Sequence, residues 1–170
     1  MDKAAFFAIL LKDLQRSNVM LRKKWATIIN ENQFSTLDFL PILNEKEQIA
    51  SRFLWLLSEV GEMYPAILKA DLPAWFQQFE KGQVALKHAL PTYWKIVGVP
   101  LENEGTAIDL LFAVIASNEA NVTIKSRAIF VLHNLVQKYP HLKGEFEVCL
   151  NAQRNKYSAA FDKGIRKILR

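Results

Sequence analysis

Apolar residues along the 170-residue chain recur at three- and four-residue spacings, and no stretch sustains the period-two alternation of a half-buried strand. Six glycines and six prolines are few for an all-β protein of this length, so the pattern predicts helices throughout. Helix starts are expected at Asp2, Asn18, Ser35, Asn44, Asp71, Asn103 and Asn121, whose short polar side chains accept from first-turn amides. Stops are expected at Pro65, Gly82, Gly98 with Pro100, and Pro140. Together these predict helices over 2–15, 18–31, 35–43, 45–63, 72–81, 83–97, 104–117, 121–139, 142–153 and 156–169, or about five hairpins. Pro41 and Pro91 fall inside two of them, where each should kink its helix or mark a first turn.

A repeat links two of these helices. Ile49, Phe53, Leu56, Leu57, Val60 and Tyr64 match Ile124, Ala128, Val131, Leu132, Leu135 and Tyr139, each partner 75 residues later. Both sets describe one buried helix face. Arg52 matches Arg127 and Pro65 matches Pro140 at the same offset. Seventy-five residues make two units of about 37, with a divergent unit between them around Lys87 to Pro100, the signature of a helical solenoid.

The stretch Leu37, Leu40, Pro41, Leu43, followed by Arg52, Leu56, Leu57 and Gly61, resembles a HEAT repeat, in which a Leu-Pro helix precedes one bearing an inward Arg. Asn44 and Asn118 or Asn121 stand where that family carries an inter-helix Asp, and the interval from Pro41 to Arg52 is shorter than its usual one. The resemblance implies an all-α fold, a right-handed α-α superhelix of about five hairpins forming one domain over 1–170. It also implies that Arg52 and Arg127 stack between neighbouring units, with Pro65 and Pro140 as repeat landmarks.

Length and composition fit a chain that folds on its own core: 170 residues bury roughly 70% of the unfolded surface. The longest apolar runs, such as Leu110 to Ala116, are far too short to span a bilayer, and Phe6 to Leu11 is too short and too closely flanked by Lys12 and Asp13 for an export signal. A cytoplasmic location is expected, and the lone Cys149 suits a reducing compartment as a buried small hydrophobe.

Chemistry-bearing motifs are missing from the sequence. His88, His133 and His141 form no metal-ligand spacing, so no metal is expected; no cofactor is expected either, since neither a G-x-G-x-x-G nor a P-loop is present. Serines 51, 58, 117, 126 and 158 lie outside any nucleophile elbow. Glu59 and Glu62 could orient two carboxylates, but Asn134 and Gln137 occupy their places in the second copy. No segment resembles the Ser-Ser-x-Met-Pro-x-Lys-x-Asn loop of the fumarase and adenylosuccinate lyases.

Charge is distributed unevenly. The net charge of +5 resides between Arg154 and Arg170, where Arg154, Lys156, Lys163, Arg166, Lys167 and Arg170 face one carboxylate, Asp162. On a helical wheel Lys156, Lys163, Lys167 and Arg170 share an arc of about 60°, opposite Tyr157, Phe161, Ile165, Ile168 and Leu169. One account is a solvated terminal cap; the sharper one is a footprint for nucleic acid or an acidic protein. A second basic cluster is Arg22, Lys23 and Lys24 beside Trp25. The expected function is a non-catalytic helical-repeat scaffold for a protein or nucleic acid, with self-association through open ends as a further expectation. The alternative is DNA binding of the type seen in HEAT-like alkylpurine glycosylases, which hold damaged DNA on a basic concave surface with Trp and Asp. Trp25, Trp55, Trp75 and Trp94 supply that residue type, although Trp55 beside the apolar stripe, and Trp75 and Trp94 among Phe76, Phe79 and Tyr93, suit core packing.

Overall fold

The computed structural model describes residues 2–169, all of it helices and short connections. The chain divides into two compact units, Met1–Gly98 and Val99–Arg170. The first contains α1 (Lys3–Leu14), α2 (Val19–Glu31), a 3-10 segment (Thr36–Asn44), α3 (Glu47–Met63), α4 (Pro65–Glu80) and α5 (Leu86–Val97). The second contains α6 (Glu104–Ala116), α7 (Val122–Lys138), α8 (Lys143–Gln153) and α9 (Ala159–Ile168), with 3-10 turns at Leu101–Asn103 and Pro140–Leu142.

In the first unit, long-range side-chain contacts recur at one sequence separation. Thr27 Oγ1 meets Tyr64 Oη at 3.2 Å and Arg22 pairs with Glu59 at 3.5 Å, both 37 residues apart. Because the separation stays constant while the chain advances, α2 and α3 run side by side in the same direction. Tyr93 Oη donates to the Leu54 carbonyl at 2.9 Å and extends this row to α5. A second row consists of α1, the 3-10 segment and α4. Lys3 pairs with Asp38 at 2.8 Å and Phe6 meets Phe39 edge-on, while Asp71 accepts from the Thr36 amide and the Thr36 hydroxyl at 2.6 and 2.7 Å. The unit is therefore two neighbouring rows of helices, with the chain passing from one row to the other at each turn. Its core lies between the rows, where Phe53 meets Trp75 and Phe76 meets Trp94, all four buried.

Arg52 reaches from α3 to the C-terminus of α1, donating to the Leu14 carbonyl at 2.8 Å and to that of Gln15. A helix end leaves such carbonyls without intrahelical partners, and a cation there also interacts favourably with the negative end of the helix dipole.

In the second unit α6 packs against α7 and α8, and α7 also packs against α8 and α9. Glu104 at the start of α6 accepts from Lys138 Nζ (2.7 Å) and Tyr139 Oη (2.5 Å) at the end of α7. Lys125, fully buried near the start of α7, donates to the carbonyl of Ile115 in the last turn of α6 and to Gln153 Oε1 at 3.3 Å. It lies 5.4 Å from the centre of the Tyr157 ring. Lys125 thus serves the end of the preceding helix; Arg127, which corresponds to Arg52, is half-buried.

The offset of 75 holds in three dimensions. α3 and α7 each span 17 residues between matching ends, and their buried positions correspond one to one: Ala50, Phe53, Leu54, Leu56, Leu57, Val60 and Gly61 against Lys125, Ala128, Ile129, Val131, Leu132, Leu135 and Val136. Each helix closes on a tyrosine in nearly the same conformation, Tyr64 at φ −137°, ψ 66° and Tyr139 at φ −120°, ψ 75°. The proline that follows each tyrosine disfavours αR there and so ends the helix.

Several boundaries differ from expectation. Pro65 and Pro140 are starts as well as stops, occupying the first turn of α4 and of the turn before α8, where a missing N–H costs nothing. α4 consequently begins seven residues before the expected 72, and Asp71 lies inside it, binding Ser35 and Thr36 instead of capping. The segment at 35–43 winds as a 3-10 helix around Pro41. α5 begins at Leu86 because Gly82, at φ 103°, reverses the chain first. Asp2, Asn18, Ser35 and Asn121 cap as expected; Asn44 instead accepts from Gln83, and Asn103 forms no side-chain cap bond. Pro91 lies inside α5, buried.

Candidate binding surface

The basic C-terminal segment is only partly one helix. α9 begins at Ala159, capped by Ser158, whose Oγ accepts from the Phe161 amide at 3.3 Å. Arg154 and Lys156 precede it in an exposed turn, and Arg170 lies outside the described residues. Within α9 the amphipathic expectation is met: Phe161 and Ile165 are buried, while Lys163, Arg166 and Lys167 are exposed. Asp162, the segment's one carboxylate, is itself buried and accepts from the Asn155 amide at 2.9 Å, which anchors the turn where Asn155 adopts φ 61°. With that carboxylate turned inward, the exposed charges of α9 are all positive.

Beside this face, between α7 and α9, runs an open groove of about 430 Å³. Ile129, Phe130, Phe161, Ile165 and Ile168 form its apolar floor, with Lys167 at its rim. Phe130 is 47% exposed and corresponds to Trp55 in the repeat, which is 56% exposed. α3 and α7 thus each carry one exposed aromatic at matching positions.

The second predicted cluster is not assembled as a site. Trp25 is 1% exposed and belongs to the core, as do Trp75 and Trp94. Arg22 is engaged by Glu59 and lies 5.8 Å from the Trp55 ring centre, so only Lys23 and Lys24 of the cluster project outward. Trp55, which the sequence set beside the apolar stripe, is the surface tryptophan. Its position on the helical wheel of α3 is about 150° from the stripe's centre, a signal available in the sequence.

Glu104 would have its carboxyl pushed up by burial, but the hydrogen bonds from Lys138 and Tyr139 and the Lys138 charge hold it below the usual carboxylate range. The same bond to Glu104 raises Lys138. Cys149 is half-buried rather than buried, and its desolvation raises the thiol despite the nearby Lys125 charge. His133 stacks on Phe146 and His141 meets Tyr139 edge-on. Among the described residues no group of three or more His, Cys, Asp or Glu could hold a metal ion, and no helix is long and apolar enough to cross a membrane.

No protein-family model, curated protein or solved structure matches the chain.

Proposed function

We propose that the protein is a helical-repeat scaffold whose units are segments of a HEAT-like right-handed α-α superhelix, and that it binds an acidic protein or nucleic acid through α9. The observation that carries the reading is the burial of Asp162, which leaves Lys163, Arg166 and Lys167 without an opposing carboxylate on α9's exposed face. Such a one-signed surface attracts polyanions over about a Debye length and speeds encounter with them. The recurring 37-residue contacts support the repeat reading, since each hairpin then presents its inner helix to the same side as its neighbour's.

The test is retention of partners from a cell extract by immobilised protein, with and without nuclease, compared with the Lys163→Glu, Arg166→Glu, Lys167→Glu variant. Retention by the wild type alone supports the reading, and nuclease sensitivity assigns the partner's class. Equal retention by both proteins removes α9 as the site.

A further inference from the structure

We infer that the groove between α7 and α9 is a docking site for a short acidic amphipathic helix of a partner protein. The inference deepens the scaffold reading and rests on it for the cationic face. Groove-lining residues extend from Ser126 to His133 on α7 and from Ala160 to Ile168 on α9, a length of about 12 Å at 1.5 Å per residue. That suits about two turns of helix, which present apolar anchors at i, i+3 or i+4, and i+7.

Two observations select the occupant. The floor is alkyl and phenyl, and of its two rings Phe161 is only 7% exposed, so it offers anchors for leucine-like side chains rather than a platform on which successive bases stack. The charge comes from α9: Lys167 lines the groove, Lys163 and Arg166 are exposed on the same helix, and Asp162, the single carboxylate of α7 and α9, is buried and bonded. An occupant must therefore be apolar on one face and acidic beside it. Gly164 keeps the groove open, since a Cβ built there meets no atom within 4 Å.

That last feature supplies a variant that blocks the groove without disturbing the core. Gly164→Leu fills the space, and leucine is also the better helix former, so the melting temperature should hold or rise. The probe is a fluorescein-labelled 14-residue peptide with leucines at helical spacing and glutamates elsewhere, with a lysine-for-glutamate version as control. Fluorescence anisotropy with the intact chain should show the Leu/Glu peptide binding about tenfold or more tightly than the control, and losing about tenfold or more with Gly164→Leu. Unchanged affinity with Gly164→Leu, or equal affinity for the control peptide, overturns the proposal. So does displacement of the peptide from the groove by a 20-base-pair duplex, or a dimer seen by sedimentation that Gly164→Leu abolishes. Binding that survives Gly164→Leu but falls with Lys163→Glu and Lys167→Glu rejects the groove and leaves the cationic face standing; binding indifferent to both changes rejects each.

Discussion

Replacing Arg52 by Met removes the guanidinium while keeping most of the stem that packs along α3. In the folded chain that group satisfies the carbonyls of Leu14, the last residue of α1, and Gln15, its cap. A hydrogen bond from a charged donor contributes roughly 1.5–3 kcal/mol, and a cation at a helix C-terminus a further 0.3–1 kcal/mol or so. Leu14 is buried and its carbonyl has little access to replacement water, whereas Gln15 is exposed and can be rehydrated, so one bond counts nearly in full and the other little. The rotamer freedom recovered by the shorter polar reach gives back up to about 2 kcal/mol. The net loss is about 2 kcal/mol. Urea denaturation should show the midpoint falling by roughly 1 M at unchanged slope, taking a slope of about 2 kcal/mol/M. Hydrogen exchange should show lost protection concentrated in α1, and Arg52→Lys should recover only part of the difference because its ammonium, though able like the single Nη1 nitrogen to serve two carbonyls, ends one bond short of it. A midpoint for Arg52→Met indistinguishable from wild type would refute the reasoning, since it would mean that water serves the end of α1 equally well.

Two further perturbations bear on the account. Leu57→Ala and Leu132→Ala, fully buried at matching positions of the repeat, should each cost about 2–5 kcal/mol in chemical denaturation, and a neutral result at either would undo the alignment of the two copies. Glu104 has a folded pKa below its unfolded value, so its contribution is complete above the ordinary carboxylate range and disappears as pH falls through the lowered value; Lys138, raised, loses its contribution as pH rises through the raised value. Glu104→Gln should accordingly flatten the acid limb of a stability-against-pH curve, and an unaltered limb would show that the pair carries no linkage.

Much of this architecture was legible because helix faces repeat with a fixed period. The stripe from Phe53 to Val60 and its copy from Ala128 to Leu135 locate core positions that the structure buries, and Arg52, expected with Arg127 to stack between units, bonds to the end of α1. Proline was harder to read. Pro65 ends α3 by restricting Tyr64 and begins α4 by tolerating a first turn, and only the second role places Asp71 mid-helix. Lys125 had a signal that hydropathy conceals: it corresponds to buried Ala50, so its ammonium had to find partners inside. Trp25 and Trp55 exchanged their expected places because adjacency in sequence to a basic run or an apolar stripe says less than angular position on the helix. The α9 surface was legible as charge, but its boundaries were not, since the turn at Asn155 and the Ser158 cap place Lys156 before the helix. The groove was not legible, because it depends on how α7 and α9 are spaced and on the absence of a side chain at Gly164.

The claim that α9 is the binding surface is tested most directly by the salt dependence of polyanion binding, measured by anisotropy with labelled polyglutamate and labelled duplex DNA between about 50 and 200 mM salt. If three cations contact phosphates, the slope of log affinity against log salt should be about −2.7 on DNA, at roughly −0.9 per contact, with a negative slope on polyglutamate if that is the better ligand. The account predicts that Lys163→Glu, Arg166→Glu, Lys167→Glu weakens binding and flattens the slope toward zero. A slope and affinity unchanged by that triple replacement would contradict it and move the site off α9.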